Sequence, residues 1–182
     1  MADLAVRQTA LPGLYEVDLL VHGDSRGWFK ENYQQAKLEA LGLPHFDIVQ
    51  NNISFNVERG VTRGFHAEPW EKFISAATGS VFAAFVDLRS GPTFGQTHTL
   101  TMTPDKAVFV PRGVANAYQT LETNTAYTYL TNAHWSADTT YPAVDLFDPA
   151  LNVVWPIAKD QAIVSEKDSN NPPLADIQPL NW

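Results

Sequence analysis

Cysteine is absent from the 182 residues and methionine occurs only twice. A chain without thiols can form no disulfide, no thiolate metal site and no cysteine nucleophile. Positive charge is scarce. Twelve Lys and Arg stand against twenty Asp and Glu, for a formal net charge of −8. That balance argues against nonspecific binding to nucleic acid or to anionic membranes, yet leaves room for one anionic ligand held by a local cation cluster. No apolar run approaches the length of a membrane span. The first residues, Met1 to Arg7, lack the basic start and apolar stretch of a secretion signal, so a cytoplasmic location is expected. What remains is 45% apolar and 18% charged, the composition of an ordinary soluble globule. The length suits one domain over residues 1–182 with a sizeable core.

The pattern along the chain is mostly β. Leu14 to Val21 reads as a strand, His22 to Gly27 as turn, and Trp28 to Tyr33 as a short strand. Gln34 to Leu41 carries helix formers and stops at Gly42, a C-cap residue. Ile74–Ala77 and Val81–Leu88 flank Thr78-Gly79-Ser80, the signature of a hairpin turn. Further strands are expected at 97–102, 107–110, 118–121 and 125–131. Many short strands at this spacing predict an all-β jelly-roll sandwich or barrel with short peripheral helices. The tail after Ser136 is Pro-rich but keeps enough apolar residues to pack against the barrel.

Two strand-like segments carry groups that a core strand would not. Gln50, Asn52 and Ser54 fall on one face of an alternating strand. Arg63 and His66 do not share a face unless the backbone bends at Gly64. Inward polar groups cost stability unless they find partners, and a small-molecule site would explain them. Taken alone, His66 reads equally as a hydrogen-bonded core histidine, Lys72 as an exposed strand lysine and Asp168 as a turn cap.

Order and spacing change that reading. The run includes Asp24-x-Arg26-Gly27-x-Phe29-x-Glu31, Gln50-x-Asn52-x-Ser54 and Gly60-Val61-x-Arg63-Gly64-Phe65-His66. Lys72, Val86-Asp87-Leu88-Arg89, Pro92-Thr93-Phe94-Gly95, Asp148-Pro149, Trp155-Pro156 and Ser165-x-Lys167-Asp168 follow. Together they resemble the dTDP-4-dehydrorhamnose 3,5-epimerase family, cupin-type jelly rolls acting on dTDP-4-keto-6-deoxy sugars. The Arg-Gly-Phe-His-Ala-Glu-Pro-Trp wording around His66 is similar to the epimerase half of bifunctional epimerase–reductase chains.

The resemblance implies epimerisation at C3, C5 or both, with no metal or other cofactor. It makes His66 the base, Asp168 the carboxylate that orients it, and Lys72 the cation near the enolate oxygen. Arg63, Gln50 and Asn52 become substrate contacts. Arg26, Phe29 and Glu31 match a nucleotide-contacting segment that reaches a neighbouring subunit, implying a homodimer, and a dTDP-4-keto-sugar reductase is a possible functional partner. Two positions depart from the pattern. The family's histidine after Pro111-Arg112-Gly113 is Asn116, which hydrogen-bonds but cannot carry a proton. Of the family's two tyrosines, the first matches Tyr129 and the second falls on Trp135, beside His134. An indole cannot serve as an acid, so the acid role is expected at Tyr129, with three alternatives: His134 takes over, solvent protonates one face, or part of the chemistry is lost. The segment after His66 also looks short.

Three rivals remain open at this level. A metal cupin needs a histidine cluster, which Ala67, Glu68 and Asn116 do not supply. A mono-epimerase or keto-isomerase on a related dTDP-sugar would tolerate the altered acid position. A non-catalytic sugar-nucleotide binder assisting a reductase would not need His66, Lys72 and Asp168 together.

Overall fold

Alternation of apolar residues along the strands is what sorts this chain into layers. A computed structural model describes residues 3–182 and holds twelve strands. They are β1 (Ala5–Gln8), β2 (Tyr15–Asp18), β3 (Val21–Asp24), β4 (Gly27–Lys30), β5 (Gln50–Asn56) and β6 (Thr62–His66), then β7 (Lys72–Thr78), β8 (Val81–Asp87), β9 (Thr97–Met102), β10 (Lys106–Val110), β11 (Val114–Thr120) and β12 (Thr125–Thr131). Two short helices, α1 (Gln35–Ala40) and α2 (Glu166–Ser169), lie outside the sheets. A six-stranded sheet runs β1-β2-β10-β7-β12-β5 and a four-stranded sheet runs β6-β11-β8-β9, while β3 and β4 form a separate hairpin. This is the all-β jelly roll that the strand spacing predicts.

Every second residue of the long strands faces inward. Ile74, Val108, Val110 and Tyr127 of the large sheet meet Val81, Ala83, Phe85, Val114 and Tyr118 of the small one in a central core. The opposite parity builds the outer layers. Phe73, Ala107 and Phe109 pack under Leu38 of α1 together with Leu43 and Phe46. Phe65, Ala84, Val86, Ala115 and Ala117 are covered by Val144, Leu146 and Leu151 of the tail, as its apolar content predicts. The tail also covers the free edge of β6, where the Ala67 N–H donates to the Pro142 carbonyl at 2.9 Å and the Val144 N–H to the Phe65 carbonyl at 3.1 Å.

Three expectations need correction. The strand over 14–21 stops at Asp18, and the chain resumes as β3, so the expected turn at 22–27 is an antiparallel hairpin with Ser25 and Arg26 at its tip. The Thr78-Gly79-Ser80 turn does not close a hairpin. β7 pairs with β10 and β12, whereas β8 pairs with β11 and β9, so the turn carries the chain from one sheet to the other. Each strand is buried on both faces and is paired along both edges within its own sheet. The strand expected at 118–121 begins earlier, at Val114. The helix is as predicted, with the Gln34 side chain accepting from the Lys37 N–H at its start.

Candidate active site

A cavity of about 630 Å³ opens between the two sheets at one end of the sandwich. His66 reaches it because β6 is bulged. Against β11, His66 lies opposite Asn116 and Arg63 opposite Tyr118, so three steps on β6 span two on its partner. The extra residue rotates the strand locally, and Arg63 and His66, which regular alternation would separate, both line the cavity. Gly64 occupies the bulge at φ +121°, where a Cβ would stand 2.5 Å from the Ala117 Cβ and 2.6 Å from the Asn116 carbonyl oxygen. Glycine is required there by both conformation and space.

The same bulge presents its backbone to a carboxylate. Asp168 sits in the one-turn α2, capped by the Ser165 hydroxyl, which accepts from the Asp168 N–H at 3.1 Å. Asp168 Oδ2 accepts from the Gly64 N–H at 3.3 Å, and Oδ1 lies 2.8 Å from His66 Nε2. Burial alone would raise the Asp168 pKa. The His66 hydrogen bond and charge, the Gly64 N–H and Lys167 outweigh it and hold the carboxyl below its usual range. An ionised carboxylate only accepts, so Nε2 carries the hydrogen, which leaves Nδ1 as the nitrogen that can act as a base. A histidine fixed in that tautomer is ready to take a proton.

The large sheet supplies the facing wall. Lys72 and Ile74 of β7 and Tyr127 and Tyr129 of β12 line it, with Ser54 of β5 beside them. The Lys72 ammonium donates to the Glu68 carboxylate and to Asn116 Oδ1. Tyr127 is stacked on Tyr118, ring centroids 4.1 Å apart. The Tyr118 hydroxyl donates to Asn56 Oδ1 at 3.2 Å, which also accepts from Arg63 Nε at 3.1 Å. Burial pushes the Tyr118, Tyr127 and Tyr129 phenols above their ordinary pKa, and the Glu68 charge adds to the rise at Tyr127 and Tyr129. All three are therefore neutral donors at pH 7.

Of the sequence candidates, Arg63, His66, Lys72, Asn116, Tyr129 and Trp135 line the cavity, and Asp168 stands directly behind His66. Gln50 and Asn52 lie outside the lining. Gln50 accepts from the Trp135 N–H at 3.1 Å and donates to Asn52 Oδ1 at 2.7 Å, which holds the loop after β12. His134 is exposed and outside the lining. Arg26 and Phe29 sit on the exposed hairpin and Glu31 pairs with Lys37 at 2.5 Å, so this chain does not bring them to its own cavity. Sequence reasoning missed Glu68 and Tyr118, whereas the alternation of 125–131 puts Tyr127 on the same face as Tyr129, and both line the cavity. The inward parity of β11 would have found Tyr118. Among the described residues, no group of three His, Cys, Asp or Glu side chains is placed to hold a metal ion.

Fold and cavity together define a cupin-type jelly roll with acid–base groups on both walls. The chain belongs to the dTDP-4-dehydrorhamnose 3,5-epimerase family, whose profile matches residues 8–176, and it is an enzyme of the isomerase class. A curated Streptococcus pyogenes protein, an RmlC homolog, is 46% identical over 93% of this chain and 89% of its own length. The Pseudomonas aeruginosa dTDP-4-dehydrorhamnose 3,5-epimerase is 36% identical over 92% of this chain and 94% of its own. The structure of RmlC from Streptococcus suis in complex with dTDP-D-xylose superposes with a TM-score of 0.94 at 46% identity, over 98% of this chain and 95% of that one.

Proposed function

We propose that the cavity takes a dTDP-4-keto-6-deoxy-hexose and inverts it at C3, C5 or both. The C4 ketone acidifies both neighbouring carbons. His66, held by Asp168, removes the proton, and Lys72 donates to the enolate oxygen. Tyr129 returns a proton from the other side. The observation that carries this reading is the mounting of the two groups. His66 is on the small sheet and Tyr129 on the large one, so they approach a sugar ring from opposite faces. Inversion requires that arrangement, whereas a group that merely binds sugar nucleotide does not. Arg63, Asn116 and Trp135 contact the sugar or its diphosphate, and Gln50 and Asn52 hold the wall that carries Trp135.

The nucleotide end involves a second copy. Arg26, Phe29 and Glu31 stand away from the cavity, on and just beyond a hairpin that pairs with no other strand among the described residues. β5 is the free edge of the large sheet, and its outer face exposes Ile53 (67%) and Phe55 (57%), with Val57 (58%) just beyond. A homodimer would cover that face and let one protomer's hairpin complete the other's site, Arg26 forking onto the diphosphate and Phe29 stacking on thymine. A dTDP-4-keto-sugar reductase consuming the product would draw the reaction forward, and a cytoplasmic setting belongs to the same reading.

Incubation with dTDP-4-keto-6-deoxyglucose in D2O, followed by NMR, tests the proposal. Deuterium at C3 and C5 with an inverted product is expected. Exchange at one carbon alone would make the protein a mono-epimerase, and exchange at neither would overturn the catalytic reading.

A further inference from the structure

Lys72 is buried in the cavity wall, its side chain 6% exposed, and its partner Glu68 is 13% exposed. Few proteins place an ammonium and a carboxylate together out of water without a reason, because desolvation offsets much of their attraction. An ammonium has three N–H donors in a tetrahedral array. Two are taken here, one by Glu68 and one by Asn116 Oδ1. Among the described residues no third acceptor lies within hydrogen-bond distance, and Lys72 lines the cavity. A lysine stem is otherwise free to rotate about four bonds.

We propose that Glu68 is a positioning residue. With Asn116 it clamps the Lys72 ammonium so that the third N–H points into the cavity, at the place where an oxyanion forms. The inference rests on the reading of Lys72 as the donor to the enolate oxygen. The clamp comes from two directions. Asn116 is on β11 of the small sheet, and Glu68 follows β6, with only Ala67 between it and His66. The donor on the large sheet is thereby tied to the strand that carries the base. The other charged or titratable groups lining this space are Arg63, His66, Lys167, Tyr118, Tyr127, Tyr129 and Tyr141, and none of these side chains bonds to the ammonium. A donor fixed before the reaction needs no reorganisation as the charge develops, which is where electrostatic stabilisation gains most.

A double-mutant cycle on the full-length protein tests this, using Glu68→Gln, Lys72→Met and the pair. Three measurements are made: deuterium exchange into dTDP-4-keto-6-deoxyglucose, KM, and calorimetric affinity for dTDP-D-xylose, which has no ketone. Glu68→Gln keeps a side chain of the same shape but removes its charge. It is expected to lower kcat roughly 10-fold or more with KM and dTDP-D-xylose affinity changed less than about threefold, the signature of an interaction made only in the transition state. Lys72→Met should cost on the order of a hundredfold or more, and adding Glu68→Gln to it should cost nothing further. Glu68→Asp should recover part of the loss. The inference is overturned if Glu68→Gln is inert while Lys72→Met is crippled, or if Glu68→Gln costs the same in both backgrounds. It is equally overturned if dTDP-D-xylose affinity falls in step with kcat. An active Lys72→Met variant would instead overturn the role of Lys72 itself.

Discussion

At the scale of single residues, the site divides its labour by protonation state. His66 is held in one tautomer by a carboxylate, and Tyr129 is kept neutral by burial. Replacing His66 by alanine should lower exchange on the order of a hundredfold or more while the thermal transition stays two-state. Tyr129→Phe should keep deuterium entry at the carbon His66 attacks yet lose inversion, because the proton on His66 exchanges with D2O and the base then returns a deuteron to the same face. His134→Ala should behave as wild type in the same NMR assay. Asp168 makes a pH prediction with a definite sign. Its folded pKa lies below the unfolded one, so its stabilisation is full above the unfolded value and is lost as pH falls through the folded one. Melting curves from neutral pH into acid should therefore decline more steeply below about pH 4 for wild type than for Asp168→Asn.

At the scale of elements, the sequence was legible where one rule acts alone. The strands β8 and β12 were readable from runs of apolar and β-prone residues between turns, and the helix that stops before Gly42 followed from composition. It was illegible where partners far along the chain decide. Nothing local to Thr78-Gly79-Ser80 tells that β7 and β8 belong to different sheets, since a tight turn serves an arch and a hairpin equally well. Arg63 and His66 pose the same problem in the site. Gly64 hinted at a bend, but the bulge becomes definite only against Asn116 and Tyr118, about fifty residues downstream. Glu68 entered the sequence reading only as a position where a metal cupin would need histidine, and only its approach to Lys72 gives it a place. Gly64→Ala puts these arguments to a test. The added methyl meets Ala117 and the Asn116 carbonyl and occupies an unfavourable φ. A loss of about 1–3 kcal/mol in denaturant titrations is expected. Activity should fall further than stability alone accounts for, because Arg63 and His66 lose their common face.

At the scale of the whole molecule, the hairpin and the edge strand matter together. Lys30 anchors the hairpin by donating to the Ala76 and Pro104 carbonyls at 2.8 and 2.9 Å. Burial lowers its pKa to about 8, with the Asp105 charge acting against the shift. The unfolded chain then binds more protons between that value and the ordinary 10.5, so stability contributed at Lys30 rises with pH across this window. Wild type should gain on Lys30→Met as buffers move from pH 8 to 10, read as a difference in midpoint. The exposed face of β5 makes a separate prediction. Phe55→Glu should convert a dimer to monomers in sedimentation and raise KM for the nucleotide sugar, since Arg26 and Phe29 would no longer reach a neighbour. A wild-type monomer with full activity at high dilution would overturn that prediction.

In the proposed reaction the base, His66, and the acid, Tyr129, are mounted on different sheets, so no strand holds both. Their separation is a thickness, set by the side chains stacked between the sheets, including Phe85, Val108 and Met102, none of which lines the cavity. The core thus acts as a spacer gauge for the reaction. Trimming it, as in Phe85→Leu, should let the sheets settle by a fraction of an ångström, and a misplacement of about one ångström can cost on the order of a hundredfold in rate. The change would register as a shift in how often a removed proton comes back on the opposite side of the ring. The stereochemical outcome would then report on the packing of the core alongside the melting temperature, which the cavity left by the trimmed side chain lowers.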